Sequence, residues 1–433
     1  MIRSDRRRPH PAWAVAAVTF VAIMGAAGFR STPGVLMVPL QDEFGWSRGV
    51  ISVAVSVNLL LFGLTAPFAA ALMERFGIRR VVAVALTVVA VGSALTTVMS
   101  ASWQLVACWG VLVGLGTGSM ALVFGATVAN RWFVRRRGVV LGALTAASAT
   151  GQLVFLPVLA ALADRHGWRS AAWTVSLVAL AVVPLVLILL RERPSDLGLL
   201  PYGASEPVPA ATRGGSPARA ALGALRTASS RPAFWLLVGG FAICGATTNG
   251  LVGTHFIPAA HDHGMPMTTA AGLLALVGVF DILGTVGSGW LTDRVDSRLL
   301  LGWYYALRGL SLVALPSLFS SSLHPHMLVF VLFYGLDWVA TVPPTVTLCR
   351  ELFGEQGTLV FGWVFASHQI GAGAAAAAAG IVRTSLGSYD AAWYGAAALC
   401  LLAAVLSVRV RPPVRSYRAV TGNAGLPAPG AAH

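Results

Sequence analysis

The chain has 433 residues, 56% of them hydrophobic and only 11% charged, and its mean hydropathy of +0.75 lies far outside the balance of a water-soluble globular domain. A formal net charge of +14 would suit a nucleic-acid partner, but the charges sit in short breaks between apolar runs, so the partner they imply is a lipid bilayer and not nucleic acid. No Walker loop, zinc-protease helix or nucleophile elbow occurs, so the sequence carries no enzyme signature and leads us to expect neither a cofactor nor a resident metal.

Apolar runs long enough to cross a roughly 30 Å hydrocarbon core recur along the whole chain. They read as helices, because lipid offers an unpaired backbone no hydrogen-bond partners. Arg3, Arg6, Arg7 and Arg8 precede the first run, which is too long for a cleaved leader and reads as a retained span. Spans are expected at 12–40, 49–73, 81–99, 103–129, 138–163 and 169–190, and then at 233–260, 268–291, 299–320, 325–349, 357–382 and 389–409. Residues 191–231 are rich in Pro, Gly, Ala and Ser and read as a flexible linker with a short surface helix near Ala218 to Ala228. The tail 411–433 has too little apolar surface to fold. The expected division is therefore a six-helix bundle over 1–190, the linker 191–231, a second bundle over 232–410 and the tail.

All 30 basic residues are Arg. Of these, 24 fall on the side of the N-terminus and four (Arg48, Arg165, Arg169, Arg383) on the other, leaving Arg30 and Arg308 within spans. That bias places both ends and the linker in the cytoplasm, and the protein in an inner or plasma membrane. Cys108, Cys244, Cys349 and Cys400 lie far apart within apolar runs and read as small core residues.

The charged break GWLTDRVDSR, residues 289 to 298, has an earlier copy 219 positions back, in which Ala70 stands for Gly289, Glu74 for Asp293, Arg75 for Arg294 and Arg79 for Arg298. The same offset pairs Gly34 with Gly253, Pro39 with Pro258, Gly45 with Gly264, Gly116 with Gly335, Gly138 with Gly357 and Ser148 with Ser367. The chain is two related halves end to end. Six plus six spans with a middle linker match the parallel-repeat architecture of the major facilitator superfamily, and GWLTDRVDSR resembles that family's signature between the second and third helices of a half. The resemblance implies an all-α membrane protein of twelve transmembrane helices in two pseudo-symmetric halves. It also implies a gate at the charged breaks, formed by Glu74, Arg75 and Arg79 and by Asp293, Arg294 and Arg298; these side chains equally fit anchors snorkelling at the interface.

Residues 132 to 142, WFVRRRGVVLG, resemble the run that enters the fifth helix in monocarboxylate porters and oxalate/formate-type exchangers, with Trp132, Phe133, Arg135, Arg136, Arg137 and Gly142 at matching positions. GFRSTPGVLMVPLQDEFGWSR also resembles bacterial members of that group and places Arg30 near their first-helix basic residue. The chain departs from the pattern before the first helix, where only Pro11 and Trp13 hint at the prelude. It departs again at Thr285, where such porters carry an Arg four residues after the acid. Drug/proton antiporters of the same superfamily usually show a Gly-Pro pattern in the fifth helix and an Arg in the fourth, and neither is present here.

An ionisable group at the hydrocarbon centre costs at least about 2.5 to 3.5 kcal/mol, so it is paired, faces water or serves function. Arg30, Asp281, Arg308 and Asp337 are the four. At about 1.5 Å per residue, Asp281, Arg308 and Asp337 share one midplane layer. Arg308 can pair with either acid, as a structural ion pair or as part of the site, and leaves one carboxylate over for proton coupling. Arg30 has no acid at its depth in its own half and is the candidate anion contact. Asn249, His255, His368 and Gln369 are further candidates for binding. Asn58 and Gln152 fit helix-to-helix hydrogen bonds, and Gly110, Gly114 and Gly118 fit close helix packing. His261, Asp262 and His263 read as an exposed polar loop. The implied function is secondary active transport of a small organic anion, a monocarboxylate, by alternating access, proton-coupled or by exchange. Efflux of a drug or natural product by proton antiport, and a non-transporting sensor on the same scaffold, are the alternatives.

Overall fold

A computed structural model describes residues 10–120, 122–206, 217–292 and 294–410. The leader arginines, the tail and the gate acid Asp293 lie outside these residues, and the side chain of Gln152 is likewise not described. The long helices are α1 Ala12–Phe44, α2 Arg48–Phe76, α3 Ile78–Thr96, α4 Ser102–Trp132, α5 Arg137–His166 and α6 Trp168–Leu189, followed by α7 Pro232–Asp262, α8 Met267–Thr292, α9 Ser297–Leu318, α10 Pro325–Phe353, α11 Gly357–Leu386 and α12 Asp390–Arg409. Among the described residues, eleven of these are long and apolar enough to cross a membrane, and the remaining one, α5, runs 30 residues with a shorter apolar stretch at Val139–Ser148. The linker carries a helix at Pro217–Ser229, as its Ala-rich sequence predicts.

Large apolar side chains such as Val84, Leu177, Val286, Leu310 and Phe333 point outward and are at least half exposed, an arrangement that suits hydrocarbon and not water. The chain is a multi-pass membrane protein. Below, the terminal face is the end of the bundle bearing Ala12 and Arg409, and the distal face is the opposite end.

With no hydrophobic drive between helices in lipid, close packing depends on small residues. The Gly110, Gly114 and Gly118 stripe of α4 lies on α2: a Cβ at these positions would meet the Ala54 carbonyl oxygen at 3.1 Å, the Asn58 Cα at 3.0 Å and the Phe62 Cα at 2.9 Å. The alanine-rich run of α11 lies on α2 in the same way, and Ser56 Oγ donates to the Gly373 carbonyl at 2.6 Å. The repeat shows in the geometry. Gly45 and Gly264, one repeat length apart, both take the left-handed conformation just past the distal ends of α1 and α7 (φ 67° and 84°), as residues that stop a helix do. Gly34 and Gly253, another repeat pair, face each other where α1 crosses α7, and a Cβ on Gly34 would stand 3.3 Å from the Gly253 carbonyl oxygen.

Two helices carry wide-turn π segments, Val106–Val113 in α4 and Ala246–Val252 in α7. α10 is interrupted between Asp337 and Val342. The cause lies in the sequence: Pro343 and Pro344 have no N–H to offer the carbonyls of Val339 and Ala340, four residues back. The freed groups find other partners, since Val339 accepts from Val342 N at 2.8 Å and Ala340 accepts from Ser288 Oγ of α8 at 2.5 Å.

Candidate central cleft and its flanking charge networks

A narrow cleft lies at mid-height between the two halves. Arg30, Asn58 and Trp109 line it from the first half, and Asn249, Thr254 and Trp338 from the second. The π segments supply Trp109 and Asn249, consistent with the tendency of such segments to occur at functional sites. Arg30 is half-buried, and its guanidinium lies 4.4 Å from the centre of the Phe62 ring. Among the described residues no carboxylate comes within ion-pair distance of it. Asn58 donates to the Trp109 carbonyl at 2.9 Å, tying α2 to α4, while its Oδ1 is buried without a hydrogen-bond partner among the described residues.

Arg308 is elsewhere. It is 1% exposed and sits inside the second bundle, with Nε on Asp337 Oδ2 at 2.5 Å and Nη2 on the Asp337 carbonyl at 2.6 Å. Nη1 reaches Cys244 Sγ at 3.0 Å, so Cys244 does more than fill space. The carbonyl that Arg308 holds belongs to the broken end of α10. Asp281 is the acid left without a guanidinium: its Oδ1 accepts from Thr285 Oγ1 and from the Val339 N–H, both at 3.0 Å. Asp281 and Arg308 thus bind the two sides of the α10 interruption, one taking an orphaned N–H and the other a carbonyl. Pro343 and Pro344 mark this interruption in the sequence, but the groups they free are the Val339 and Ala340 carbonyls, whereas Asp281 and Arg308 hold the Val339 N–H and the Asp337 carbonyl.

His255, His368 and Gln369 do not line the cleft. His255 is fully buried, with Nε2 2.9 Å from the Ala376 carbonyl and Nδ1 3.0 Å from the Tyr389 hydroxyl. A carbonyl only accepts, so Nε2 carries the hydrogen, and the Tyr389 hydroxyl donates to Nδ1. Tyr389 in turn accepts from Arg48 Nη1 at 3.3 Å. Arg48 grips Asp262 with both terminal nitrogens at 2.6 and 2.5 Å, Asp262 also accepts from Arg383 Nε at 2.9 Å, and Gln41 accepts from Arg48 Nε at 3.0 Å. This network joins α1 and α2 to α7, α11 and α12 across the distal face. Asp262 lies in an exposed segment, as expected, yet its carboxylate is the hub of this network, held by Arg48 of α2 and Arg383 of α11. Gln369 packs on Gly63 at the α2–α11 crossing. His368 lies between the rings of Phe241 and Phe365 (centroids 4.9 and 5.9 Å away) and within electrostatic range of Arg30 and Arg308.

At the terminal face the described gate residues make no cross-half bond. Glu74 and Arg75 are exposed, with Arg75 over its neighbour Phe76 at 5.2 Å. Arg294 lies over Trp290 at 4.0 Å and donates to its carbonyl. Arg298 pairs with Asp296 at 2.6 Å, which also caps α9 by accepting from Arg298 N at 2.9 Å, and these bonds hold the Asp296 carboxyl below its ordinary range. The corresponding break of the first half is held by a residue from outside the repeat. Glu192, just past α6, accepts from Ile78 N at 2.7 Å and from Arg79 N at 2.9 Å, an acid placed on the positive end of α3.

The comparisons agree with this architecture. The model of the Major Facilitator Superfamily matches residues 19–360 and, in a second match, 256–428. The chain is 28% identical over 380 residues, 87% of its own length and 89% of the relative's, to the uncharacterized MFS-type transporter YcxA of Bacillus subtilis (strain 168). It is 27% identical over 402 residues, 90% of its length and 87% of the relative's, to monocarboxylate transporter 13 of Bos taurus. Among solved structures, a bacterial homologue of the human lysosomal transporter Spinster, in an inward-facing and unoccupied conformation, superposes with a TM-score of 0.67 at 15% identity, covering 93% of this chain and 95% of that one. With a family match over most of its length, and long helices arranged as two repeated bundles around a mid-height cleft, the chain belongs to the major facilitator superfamily of membrane transporters.

Proposed function

We propose that the protein carries a small organic anion, a monocarboxylate, across the cell membrane by alternating access, with proton symport or anion exchange and with both termini in the cytoplasm. The observation that carries this reading is Arg30, a guanidinium in the central cleft with no carboxylate at ion-pair distance among the described residues. A cation at that depth is costly unless it has a counter-ion, and the planar guanidinium fork matches a carboxylate in geometry as well as charge. The side-chain amide of Asn249 and the remaining Nδ2 hydrogen of Asn58 supply the donors that orient the anion. The likeness to monocarboxylate transporters supports the substrate class. In this reading Asp281 takes up the coupled proton, because it is the midplane carboxylate that no arginine neutralises among the described residues. Arg308 and Asp337 hold α9, α10 and α7 together behind the site, and His255, His368 and Gln369 hold α7 and α11 in place.

Uptake of labelled monocarboxylates into proteoliposomes under an imposed pH gradient tests the reading. Accumulation that follows the gradient is the symport result, and stimulation by internal anion is the exchange result. Arg30→Gln raises the apparent KM for the anion at least about tenfold, as loss of a charged hydrogen bond implies. An unchanged KM in that variant would remove Arg30 from the site. Binding without flux would make the protein a sensor, and proton-driven movement of cationic amphiphiles with no anion flux would make it a drug exporter.

A further inference from the structure

We infer that Trp338 couples the proton site to the anion cleft: its indole is a wall of the cleft, the peptide bond that follows it is held by Asp281, and a proton taken up there releases the wall. This rests on Arg30 as the anion contact and on Asp281 as the proton site. The indole lines the narrow cleft together with Arg30 and Asn249. Its outer edge reaches the crossing of α1 and α7, where a Cβ on Gly253 would stand 3.7 Å from the Trp338 Cη2. The backbone of Trp338 opens the α10 interruption. The peptide unit that it shares with Val339 is gripped from both ends: Asp281 Oδ1 accepts from its N–H at 3.0 Å, and Arg308 Nη2 donates to its carbonyl at 3.4 Å. In a continuous helix that N–H would go to the Gly335 carbonyl, four residues back, but this carbonyl accepts from Trp338 N at 3.1 Å instead. The bond to Asp281 stands in for the missing helical one.

The hold depends on charge. An ionised acceptor makes a hydrogen bond roughly twice as strong as a neutral one, and the peptide dipole here lies between an anion at its N–H and a cation at its carbonyl. A proton on Asp281 removes the anion, while Arg308 stays fixed on Asp337 Oδ2 at 2.5 Å and on the Asp337 carbonyl at 2.6 Å. Arg308 from α9 and Asp337 from α10 are the charged groups within electrostatic range of Asp281 among the described residues. Since Arg308 already holds Asp337, Asp281 is the carboxylate that takes the proton. The peptide then turns within the interruption, and the indole withdraws from Gly253 and widens the cleft beside Arg30. Tyr334, one turn back, remains anchored through its hydroxyl to the Thr247 carbonyl at 2.7 Å, so the movement is confined to Trp338 and the residues after it. Proton and anion thus favour the same arrangement, which is what makes the binding of one strengthen the other.

The test uses the full chain in lipid nanodiscs with fluorotryptophan in place of tryptophan, the Trp338 fluorine resonance being assigned by its absence from Trp338→Phe. Without any anion, this resonance is expected to shift in a single step as the pH falls, and in Asp281→Asn to sit at its acid position throughout. A resonance that ignores pH, or one that titrates equally in Asp281→Asn, overturns the link. Calorimetric titration with butyrate gives the second readout. The parent is expected to bind butyrate at least about fivefold more tightly at mildly acid than at alkaline pH, the low end of ordinary coupling between two sites. That dependence is lost in Asp281→Asn and in Trp338→Ala and kept in Trp338→Phe, which restores a ring to the wall. Dependence kept in Trp338→Ala but lost in Asp281→Asn overturns the role of Trp338 and leaves the proton-coupled reading standing. Dependence kept in Asp281→Asn moves the proton site elsewhere, and the inference falls with it. Butyrate that fails to bind the parent overturns the anion contact itself.

Discussion

Arg30 and Arg308 carry the same group at similar depth, and their surroundings separate their roles. Arg308 spends its guanidinium on Asp337, on backbone carbonyls and on Cys244, so no donor fork is left for a ligand. Removing one partner of such a buried pair costs about 3–5 kcal/mol, whereas replacing both by apolar residues of like volume is often tolerated. Asp337→Ala should therefore lower the thermal unfolding midpoint in detergent sharply, and the double change Arg308→Met with Asp337→Leu should restore most of it. A double variant as unstable as the single one would show that the pair is more than structural. Asp281 gives the opposite expectation. Asp281→Asn should abolish the response of uptake to an imposed pH gradient while anion counterflow persists, and a retained gradient response would move the proton site elsewhere. That these charges share one layer follows from counting residues along helices. Which acid Arg308 takes does not, since it depends on how α8, α9 and α10 are rotated about their axes.

At the scale of the helix, the sequence was most legible where the physics is local. The Gly110, Gly114 and Gly118 spacing puts three small residues on one face, and that face lies on α2. A side chain there meets backbone, so Gly114→Leu should destabilise the bundle by about 1–3 kcal/mol, read from the same unfolding curves. The distal network was illegible for a corresponding reason: Asp262 binds Arg48 from 214 positions away, and nothing in the exposed segment of His261, Asp262 and His263 marks that partner. Asp262 is also where the halves are tied. Asp262→Ala leaves Arg48 and Arg383 without their shared anion and weakens the closed distal face. Spin labels on the exposed Val50 of α2 and Leu386 of α11 should then report a longer distance than in the parent protein. An unchanged distance distribution would mean that the α2–α11 packing closes this face without the ion pairs. At the other face, the charged signature announced itself by its copy, yet the group that holds Ile78 and Arg79 is Glu192, a residue outside the repeat.

For the molecule as a whole, the cleft between halves, the tied distal face and a terminal face without cross-half bonds among the described gate residues describe one arrangement of two bundles. Alternating access in the proposed function requires a second, in which the Arg48, Asp262 and Arg383 contacts are released. The sequence by itself determined the helical class, the span pattern, the repeat and the pairing of Gly34 with Gly253. Hydropathy over twenty residues and self-similarity at a fixed offset are properties of the string, and lipid admits only one solution for each apolar run. Only the tertiary structure decided that Arg30 faces the cleft while His255 and Gln369 do not, that Asp337 takes Arg308, and that Asp281 takes the Val339 N–H at the α10 interruption. Those outcomes depend on helix rotation and close approach between segments distant in the chain, and a one-dimensional pattern carries neither.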